Sequence, residues 1–281
     1  MDRLRQFVIE LLKGLAWRFV RPRSRAGDGR VVALVHSFDG YKRFWKPVAF
    51  FTERALASTG VTTLYASEYV GMIDDPGRCI LTGGGDFVTR FERALDSVQA
   101  EYVLYVQEDI WITDELSAAQ LDGYVELMQR HHLDCLKLGW ASLWPDDHPA
   151  IVASTDPLPG DEAFGWFGAH DYSMGHHCSI FRTDFLAATL RHARLFRVAD
   201  PLRQEQFTSR LLNADSKARN ADDKGLRLAV WRDAPPVAYE HACAWGRITP
   251  EGQAALESFG ITELYDESIP GDVFPKARYS D

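Results

Sequence analysis

Two adjacent carboxylates, Glu108 and Asp109, follow the apolar run Tyr102-Val-Leu-Tyr-Val-Gln107. The run predicts a buried strand, so the two acids stand where that strand ends. Paired carboxylates suit a hard divalent cation, which in turn neutralises phosphate. An acidic loop before Asp114 and Glu115 would give the same pattern. The pair alone therefore leaves a metal site and a solvated loop both open.

The elements that position these acids follow from the periodicity of the chain beyond residue 30. Short apolar runs alternate with amphipathic stretches, which predicts an α/β fold with a mostly parallel central sheet flanked by helices. Asp86 is the expected cap of one of those helices. We predict strands over 31–35, 61–65, 102–106 and 134–138, and helices over 43–58, 86–98, 115–131, 179–195, 203–214 and 250–259.

Ligands of such sheets bind outside the carboxyl ends of the strands. The predicted strands therefore place His36–Asp39, Glu68 and Gln107–Asp109 along one rim. Residues 140–178 have no sustained period, which favours a long functional loop region. Its aromatic segments, Trp140–Trp144 and Phe164–Phe167, fit either sugar stacking or core packing.

The composition narrows the class of protein. The chain has 281 residues, 46% hydrophobic and 25% charged, with a net charge of −9. These values exclude a collagen, a disulfide-stapled mini-protein and a wholly disordered chain. The acidic balance is the opposite of that expected for a nucleic-acid binder.

The four cysteines contain no C-x-x-C pair, which favours free thiols in a reducing cytoplasm. Paired ligands at diagnostic spacing are also missing around His176 and His177, which disfavours zinc there.

The charge is unevenly distributed. Residues 1–25 hold seven bases and two acids, a charge of +5, and the remaining 24 bases and 38 acids give −14. The apolar residues of this segment share one helical face, which predicts an interfacial helix on an anionic membrane surface. Packing on the protein's own body or on a partner remains an alternative. These apolar residues are Leu4, Phe7, Val8, Leu11, Leu12, Leu15 and Phe19. No apolar run is long enough to span a bilayer, so we expect a cytoplasmic protein, peripheral on the inner face of the plasma membrane.

A glycine-rich segment, Thr82-Gly-Gly-Gly-Asp86, precedes the helix that carries Arg90. It matches neither a Walker loop nor a G-x-G-x-x-G fingerprint. The order of strand, glycine-rich loop, Arg-bearing helix, strand and acidic pair resembles the nucleotide-sugar glycosyltransferases of the GT-A fold. The resemblance is greatest to the family-2-like group of bacterial polysaccharide type. His36–Trp45 is similar to the opening of those enzymes and Tyr239–Ile248 to their ending.

The resemblance implies roles for individual residues. Ser37 and Asp39 would meet the base or ribose of the donor nucleotide, with Glu68 on the same rim. Arg90 would lie near the donor's phosphates. The proposed metal ligands, for Mg²⁺ or Mn²⁺, are Asp109, Glu108 and His241. Gln107-Glu108-Asp109 departs from a stricter Asp-x-Asp motif, and His241 is alternatively an ordinary hydrogen-bonded histidine.

Transfer with inversion needs a carboxylate that takes the proton of the acceptor hydroxyl. Glu205 is the predicted catalytic base, and Asp109 the second catalytic residue. Asp171 and Asp200 are reserve candidates for the base. An acid favoured by the dipole at a helix start is the structural alternative for Glu205.

These observations together predict a glycosyltransferase that moves a sugar from a nucleotide-diphosphate donor to a lipid-linked or cell-surface glycan acceptor. A non-catalytic GT-A-like scaffold in polysaccharide assembly and a sugar nucleotidyltransferase are the alternatives. The expected organisation has four parts. These are a basic helix and linker over 1–29, a nucleotide-sugar-binding half over 30–140, an acceptor-binding and catalytic half over 141–248, and a tail over 249–281.

Overall fold

The structure is a computed structural model that describes residues 12, 30–138, 156–166, 178–200, 204, 207–208, 227–232, 237–244 and 246–269. The predicted basic helix over 1–25 lies outside the described residues except for Leu12, which is helical and 52% exposed. Most of the predicted helix over 203–214 also lies outside them. No described helix is long and apolar enough to cross a membrane.

Thirteen strands occur in the described residues. They are β1 Val31–His36, β2 Thr62–Ser67, β3 Cys79–Leu81, β4 Tyr102–Gln107, β5 Ile110–Ile112, β6 Cys135–Lys137, β7 Pro157–Leu158, β8 Asp161–Trp166, β9 Ser179–Arg182, β10 Leu228–Trp231, β11 Tyr239–His241, β12 Cys243–Ala244 and β13 Arg247–Ile248.

Five α-helices have both of their ends within the described residues. They are α1 Trp45–Leu56, α2 Phe87–Asp96, α3 Ala118–Arg130, α4 Thr183–Leu195 and α5 Pro250–Phe259. Short 3₁₀ turns lie at Asp39–Phe44, Pro76–Arg78 and Thr262–Leu264. Asp86 caps α2 as predicted, because its carboxylate accepts a hydrogen bond from the backbone of Thr89 at 2.8 Å.

Nine of the described strands form one sheet in the order β3-β2-β1-β4-β9-β6-β10-β8-β7. All except β8 and β9 run in the direction of β1. Two smaller pairs join β5 to β11 and β12 to β13. The predicted α/β fold with a mostly parallel central sheet is therefore confirmed.

The side chains of the central strands alternate between two hydrophobic layers, as strand geometry requires. Ala33 and Val35 of β1 face the layer formed with α1, α3 and α5. Leu34 faces the opposite layer, formed with α2 and α4. The central strands are thus covered on both faces, and their polar ends emerge at the edge of the sheet.

The sequence prediction was wrong at the start of the predicted helix over 179–195. Ser179–Arg182 forms β9, and α4 begins only at Thr183. β9 lies antiparallel between β4 and β6, with Ile180 and Phe181 fully buried. A short apolar run that continues into a helix has no periodicity of its own, so it was indistinguishable from the first turn of that helix.

Candidate functional site

The predicted rim residues leave the sheet at one edge. β1 lies between β2 and β4, all parallel, and His36 at its end pairs with Ala66 and Gln107. The segments that follow these three strands therefore emerge side by side. They carry Ser37 and Asp39 after β1, Glu68 after β2, and Glu108 and Asp109 after β4.

Asp39 and Glu68 hold the β1 and β2 ends together. The Asp39 backbone N–H donates to Glu68 Oε2 at 3.1 Å. In return, Asp39 Oδ1 accepts from the backbone N–H groups of Glu68 at 3.3 Å and Tyr69 at 3.4 Å. Lys42 Nζ lies 3.5 Å from Asp39 Oδ2. Each carboxylate thus stabilises the loop that carries the other.

Arg90 joins this pair from α2. Its Nη1 lies 2.7 Å from Glu68 Oε1, and its guanidinium stands 5.3 Å from the ring centre of Phe38. The Arg90 side chain is 10% exposed, so the ion pair is largely shielded from water. We call Asp39, Glu68 and Arg90 the β1–β2 corner.

The glycine-rich loop between β3 and α2 packs against this corner. Gly83 and Gly85 take φ values of +68° and +148°, which side chains rarely allow. Arg93 Nη1 donates to the carbonyls of Thr82 and Gly84, each at 2.8 Å. The loop is therefore held by the helix that supplies Arg90.

Ser37 is buried, and its hydroxyl accepts a hydrogen bond from Trp45 Nε1 at 2.8 Å. Its backbone N–H donates to the carbonyl of Ala66 at 2.9 Å. Ser37 therefore fixes the β1 end to α1 and to β2. A contact between Ser37 and a nucleotide would form in addition to these two hydrogen bonds.

Glu108 is a buried carboxylate, 9% exposed. Burial first, and then the negative charge of Asp109, raise the pKa of Glu108 well above its usual value, against the opposing effect of Arg90. The indole N–H of Trp111 donates to the Glu108 carbonyl at 3.1 Å, which fixes the backbone of the acidic pair. The surroundings of Glu108 thus favour its neutral form.

His241 is brought to Asp109 by the pairing of β5 with β11. His241 lies opposite Ile110 in this ladder, and the Ala242 backbone N–H donates to the Asp109 carbonyl at 2.7 Å. The imidazole Nε2 stands 3.6 Å from Asp109 Oδ2. The sequence offered His241 as a candidate ligand, but it contained no signal for the ladder that places it here.

Asp109 and His241 are incompletely satisfied. Among the described residues, Asp109 Oδ1 and His241 Nδ1 are buried and have no hydrogen-bond partner. Burial lowers the pKa of His241. The carboxylate of Asp109 and the charge of Glu251 raise this pKa by a larger amount, so the net shift is upward. Glu251, at the start of α5, was not among the predicted site residues. We call Asp109 and His241 the β4 corner.

The donor set of the β4 corner fits a divalent cation in part. No group of three or more His, Cys, Asp or Glu side chains in the described residues is arranged to hold a metal. However, Mg²⁺ commonly takes only one or two carboxylates and completes its shell with substrate phosphates and water. Mn²⁺ also accepts oxygen ligands, and imidazole binds transition metals generally. The unpartnered Asp109 Oδ1 is an available oxygen of the kind that both ions require.

Glu205, the predicted base, and Asp171 lie outside the described residues. Asp200 lies at the end of the described range 178–200, where its carbonyl accepts a hydrogen bond from the Gln204 backbone at 3.0 Å. His176 and His177 and the aromatic segment 140–144 also lie outside.

No protein-family model matches the chain, and neither does any curated protein. Solved glycosyltransferase structures resemble it. One is the galactosyltransferase LgtC in complex with donor and acceptor sugar analogues, at 10% identity and a TM-score of 0.40, over 84% of this chain and 95% of LgtC. Another neighbour is S. aureus TarS 1–349, at 15% identity and a TM-score of 0.43, over 75% of this chain. The match spans 60% of TarS 1–349 and 41% of the longer TarS chain.

Proposed function

We propose that this protein is a GT-A-type glycosyltransferase that moves a sugar from a nucleotide-diphosphate donor to a glycan acceptor. The observation that carries the proposal is the β4 corner. There an acid at the carboxyl end of a central strand faces an imidazole at 3.6 Å and keeps a buried oxygen without a partner. Asp109 Oδ1 is one of several buried side-chain atoms without a partner in the described residues, and it lies at the carboxyl ends of the parallel strands, where ligands of such sheets bind.

In this proposal Asp109 and His241 hold Mg²⁺ or Mn²⁺. When bound, the cation supplies positive charge that offsets the diphosphate of the donor and of the leaving nucleotide. The buried, neutral-favouring surroundings of Glu108 make it the weakest of the three predicted ligands. The two strong ligands therefore come from different elements, β11 and the segment after β4.

The β1–β2 corner forms the nucleotide side of the proposed site. Asp39, Glu68 and Arg90 fix the loops whose surface would receive the base and ribose, and Ser37 fixes the strand end behind them. Because these bonds join the loops to one another and to the helices behind them, they favour preorganised loops, which reduces the entropy lost on binding.

Glu205 is the proposed base toward the acceptor hydroxyl, and the proposed acceptor is a lipid-linked or cell-surface glycan. The basic segment 1–25 would hold the enzyme at the inner face of the plasma membrane, where such acceptors reside. Deletion of residues 1–25 should release the protein from vesicles that contain anionic phosphatidylglycerol, at low salt. If the full-length protein does not bind these vesicles, the membrane proposal is contradicted and the transfer proposal is unaffected.

The decisive experiment is a thermal-shift screen of the full chain with UDP, GDP, TDP, CDP and the corresponding nucleotide sugars, each with and without Mn²⁺. We expect one nucleotide family to raise the melting temperature, and Mn²⁺ to increase that shift. Release of free nucleotide diphosphate from the stabilising sugar donor would then establish turnover. If none of these compounds stabilises the protein, the transferase proposal fails and the non-catalytic scaffold takes its place.

A further inference from the structure

The segment that follows His241 folds back against it. β12 and β13 form a tight hairpin after Ala242, and the strand that closes it leads directly into Thr249. The Thr249 backbone N–H donates to the Ala242 carbonyl at 3.0 Å. The N-cap residue of α5 is thereby placed against the residue that follows β11.

The Thr249 hydroxyl makes two hydrogen bonds, one within the start of α5 and one to β11. It accepts from the Gly252 backbone N–H at 3.0 Å, which is the ordinary N-cap of a helix. It also donates to the carbonyl of His241 at 2.7 Å. A hydroxyl has one proton and two lone pairs, so both bonds coexist. Capping requires only the first of them, and the second ties the helix to the histidine.

Gly252 allows this approach. A Cβ at position 252 would lie 2.6 Å from the Ala242 carbonyl oxygen and 2.8 Å from its Cα. Both are backbone atoms that cannot rotate away, so any side chain there would separate α5 from the strand that carries His241.

The other end of α5 is anchored to the element that carries Asp109. The rings of Phe259 and Phe51 meet edge to face at 5.2 Å, and Phe51 stacks on Trp111 at 5.1 Å. Trp111 in turn donates its indole N–H to the Glu108 carbonyl, one residue before Asp109. The helix that contacts His241 and the strand that follows Asp109 therefore pack against the same aromatic cluster.

We infer that Thr249 is a positioning residue whose hydroxyl, at the start of a helix docked through Gly252, holds His241 in place against Asp109. The inference rests on the proposed function only for what the His241–Asp109 pair does. Partners that accept the ring N–H of a ligating histidine typically contribute about 10- to 100-fold to metal affinity, and a bond to the backbone of that histidine should contribute no more than the lower end of this range. The inferred effect is therefore on the site and not only on the helix.

The test compares variants of the full chain at one temperature below all of their melting points. Thr249→Val removes both hydroxyl bonds at nearly constant shape, and Thr249→Ser keeps them. Ser117→Ala is the matched control, because Ser117 caps α3 in the same way, accepting from the Gln120 backbone at 3.2 Å, and within the described residues it makes no hydrogen bond to Asp109 or His241. Should Thr249→Val not fold, Thr249→Ala removes the same bonds without adding bulk.

Two readouts are used. The first is binding of Mn²⁺ alone, from the electron paramagnetic resonance signal of the free ion. We expect Thr249→Val to bind on the order of 10-fold more weakly, with Thr249→Ser and Ser117→Ala close to wild type. The second is the ring ¹⁵N spectrum of labelled histidine, in which only Thr249→Val should change the tautomer and protonation signature of His241.

The outcomes separate the two proposals. A wild-type protein that binds neither Mn²⁺ nor nucleotide contradicts the proposed function, and the histidine spectrum still decides the positioning role. A Thr249→Val protein with the wild-type His241 signature overturns the inference. So does an equal loss of Mn²⁺ binding in Ser117→Ala, since that loss would reflect stability alone.

Discussion

Two sets of carboxylates stand at the same edge of the sheet, and they are satisfied very differently. In the β1–β2 corner, both oxygens of Glu68 are engaged, one by Arg90 and one by the Asp39 backbone. Asp39 is engaged in the same way, by two backbone N–H groups and Lys42. In the β4 corner, Asp109 has one oxygen without a partner among the described residues and the other 3.6 Å from an imidazole.

This difference separates residues that shape a site from residues that bind in it. A carboxylate whose oxygens already accept protein hydrogen bonds gains little from a new ligand, because old bonds must be given up. A buried oxygen without a hydrogen-bond partner lowers the stability of the folded protein until a ligand binds to that oxygen. Proximity to the sheet edge therefore does not by itself distinguish a ligand, and the proposal that Asp109 is one rests on a carboxylate oxygen that has no partner in the described residues.

The largest expected effect is that of Asp109→Asn. The amide keeps the shape of the side chain but loses the charge that attracts a cation, so Mn²⁺-dependent nucleotide binding should weaken by at least about 100-fold. The melting temperature of the free protein should change little, because Asp109 Oδ1 has no partner in the described residues and only the 3.6 Å contact between Oδ2 and His241 Nε2 is altered. Titration calorimetry with the stabilising nucleotide and Mn²⁺ measures the first, and a thermal melt the second.

Asp122→Asn, at an exposed position on α3, is the matched control for the loss of one negative charge. If it weakens binding as much as Asp109→Asn does, the effect is one of overall charge and the β4 corner is not the metal site.

Glu68→Gln should show the reverse pattern. It removes the counter-charge of a largely buried Arg90, so the free energy of unfolding should fall by about 1–3 kcal/mol. Nucleotide binding of the folded protein should weaken less than tenfold, since the amide still accepts the Asp39 bond. Urea unfolding and calorimetry give the two quantities.

Glu53→Gln is the comparison for this change. Glu53 pairs with Arg78 on the surface, where ion pairs contribute about 0–1 kcal/mol. If Glu68→Gln abolishes binding while leaving stability at the level of Glu53→Gln, the β1–β2 corner binds ligand directly and the contrast between the two corners is wrong.

Much of the fold was predictable because the central strands are continuous apolar runs with polar ends. Val31–His36 and Tyr102–Gln107 both match the predicted strands within two residues, and the predicted rim residues Ser37, Asp39, Glu68, Glu108 and Asp109 follow the strand ends as expected. Local patterning sufficed here, since each strand is buried on both faces and reads as β without reference to its neighbours.

The organisation of the β4 corner was not predictable from local patterns. His241 reaches Asp109 only because Tyr239–His241 pairs with Ile110–Ile112, two three-residue strands far apart in the chain. Strands this short carry too few residues for a periodic signal. The satisfaction of Asp39 and Glu68 by each other's backbone was hidden for the same reason, as it depends on loop geometry and not on residue type.

The smallest expected effect concerns Glu108, which lies beside the open corner but is itself buried. Because burial and the charge of Asp109 raise its pKa in the folded protein, the folded state holds this proton more tightly than the unfolded chain does. The associated stability is fully present below the unfolded pKa of about 4.3 and is lost as pH rises through the folded pKa. Glu108→Gln stays neutral at every pH, so its stability relative to wild type should rise modestly from pH 5 to pH 8.

Urea unfolding of both proteins at several pH values measures this difference. A Glu108→Gln protein whose stability relative to wild type stays constant from pH 5 to pH 8 would mean that Glu108 is already ionised in the fold over that range. It would then be a second charged acid beside Asp109 and a full ligand candidate. The expected result instead leaves Asp109 as the carboxylate of this acidic pair that carries a charge before any cation binds.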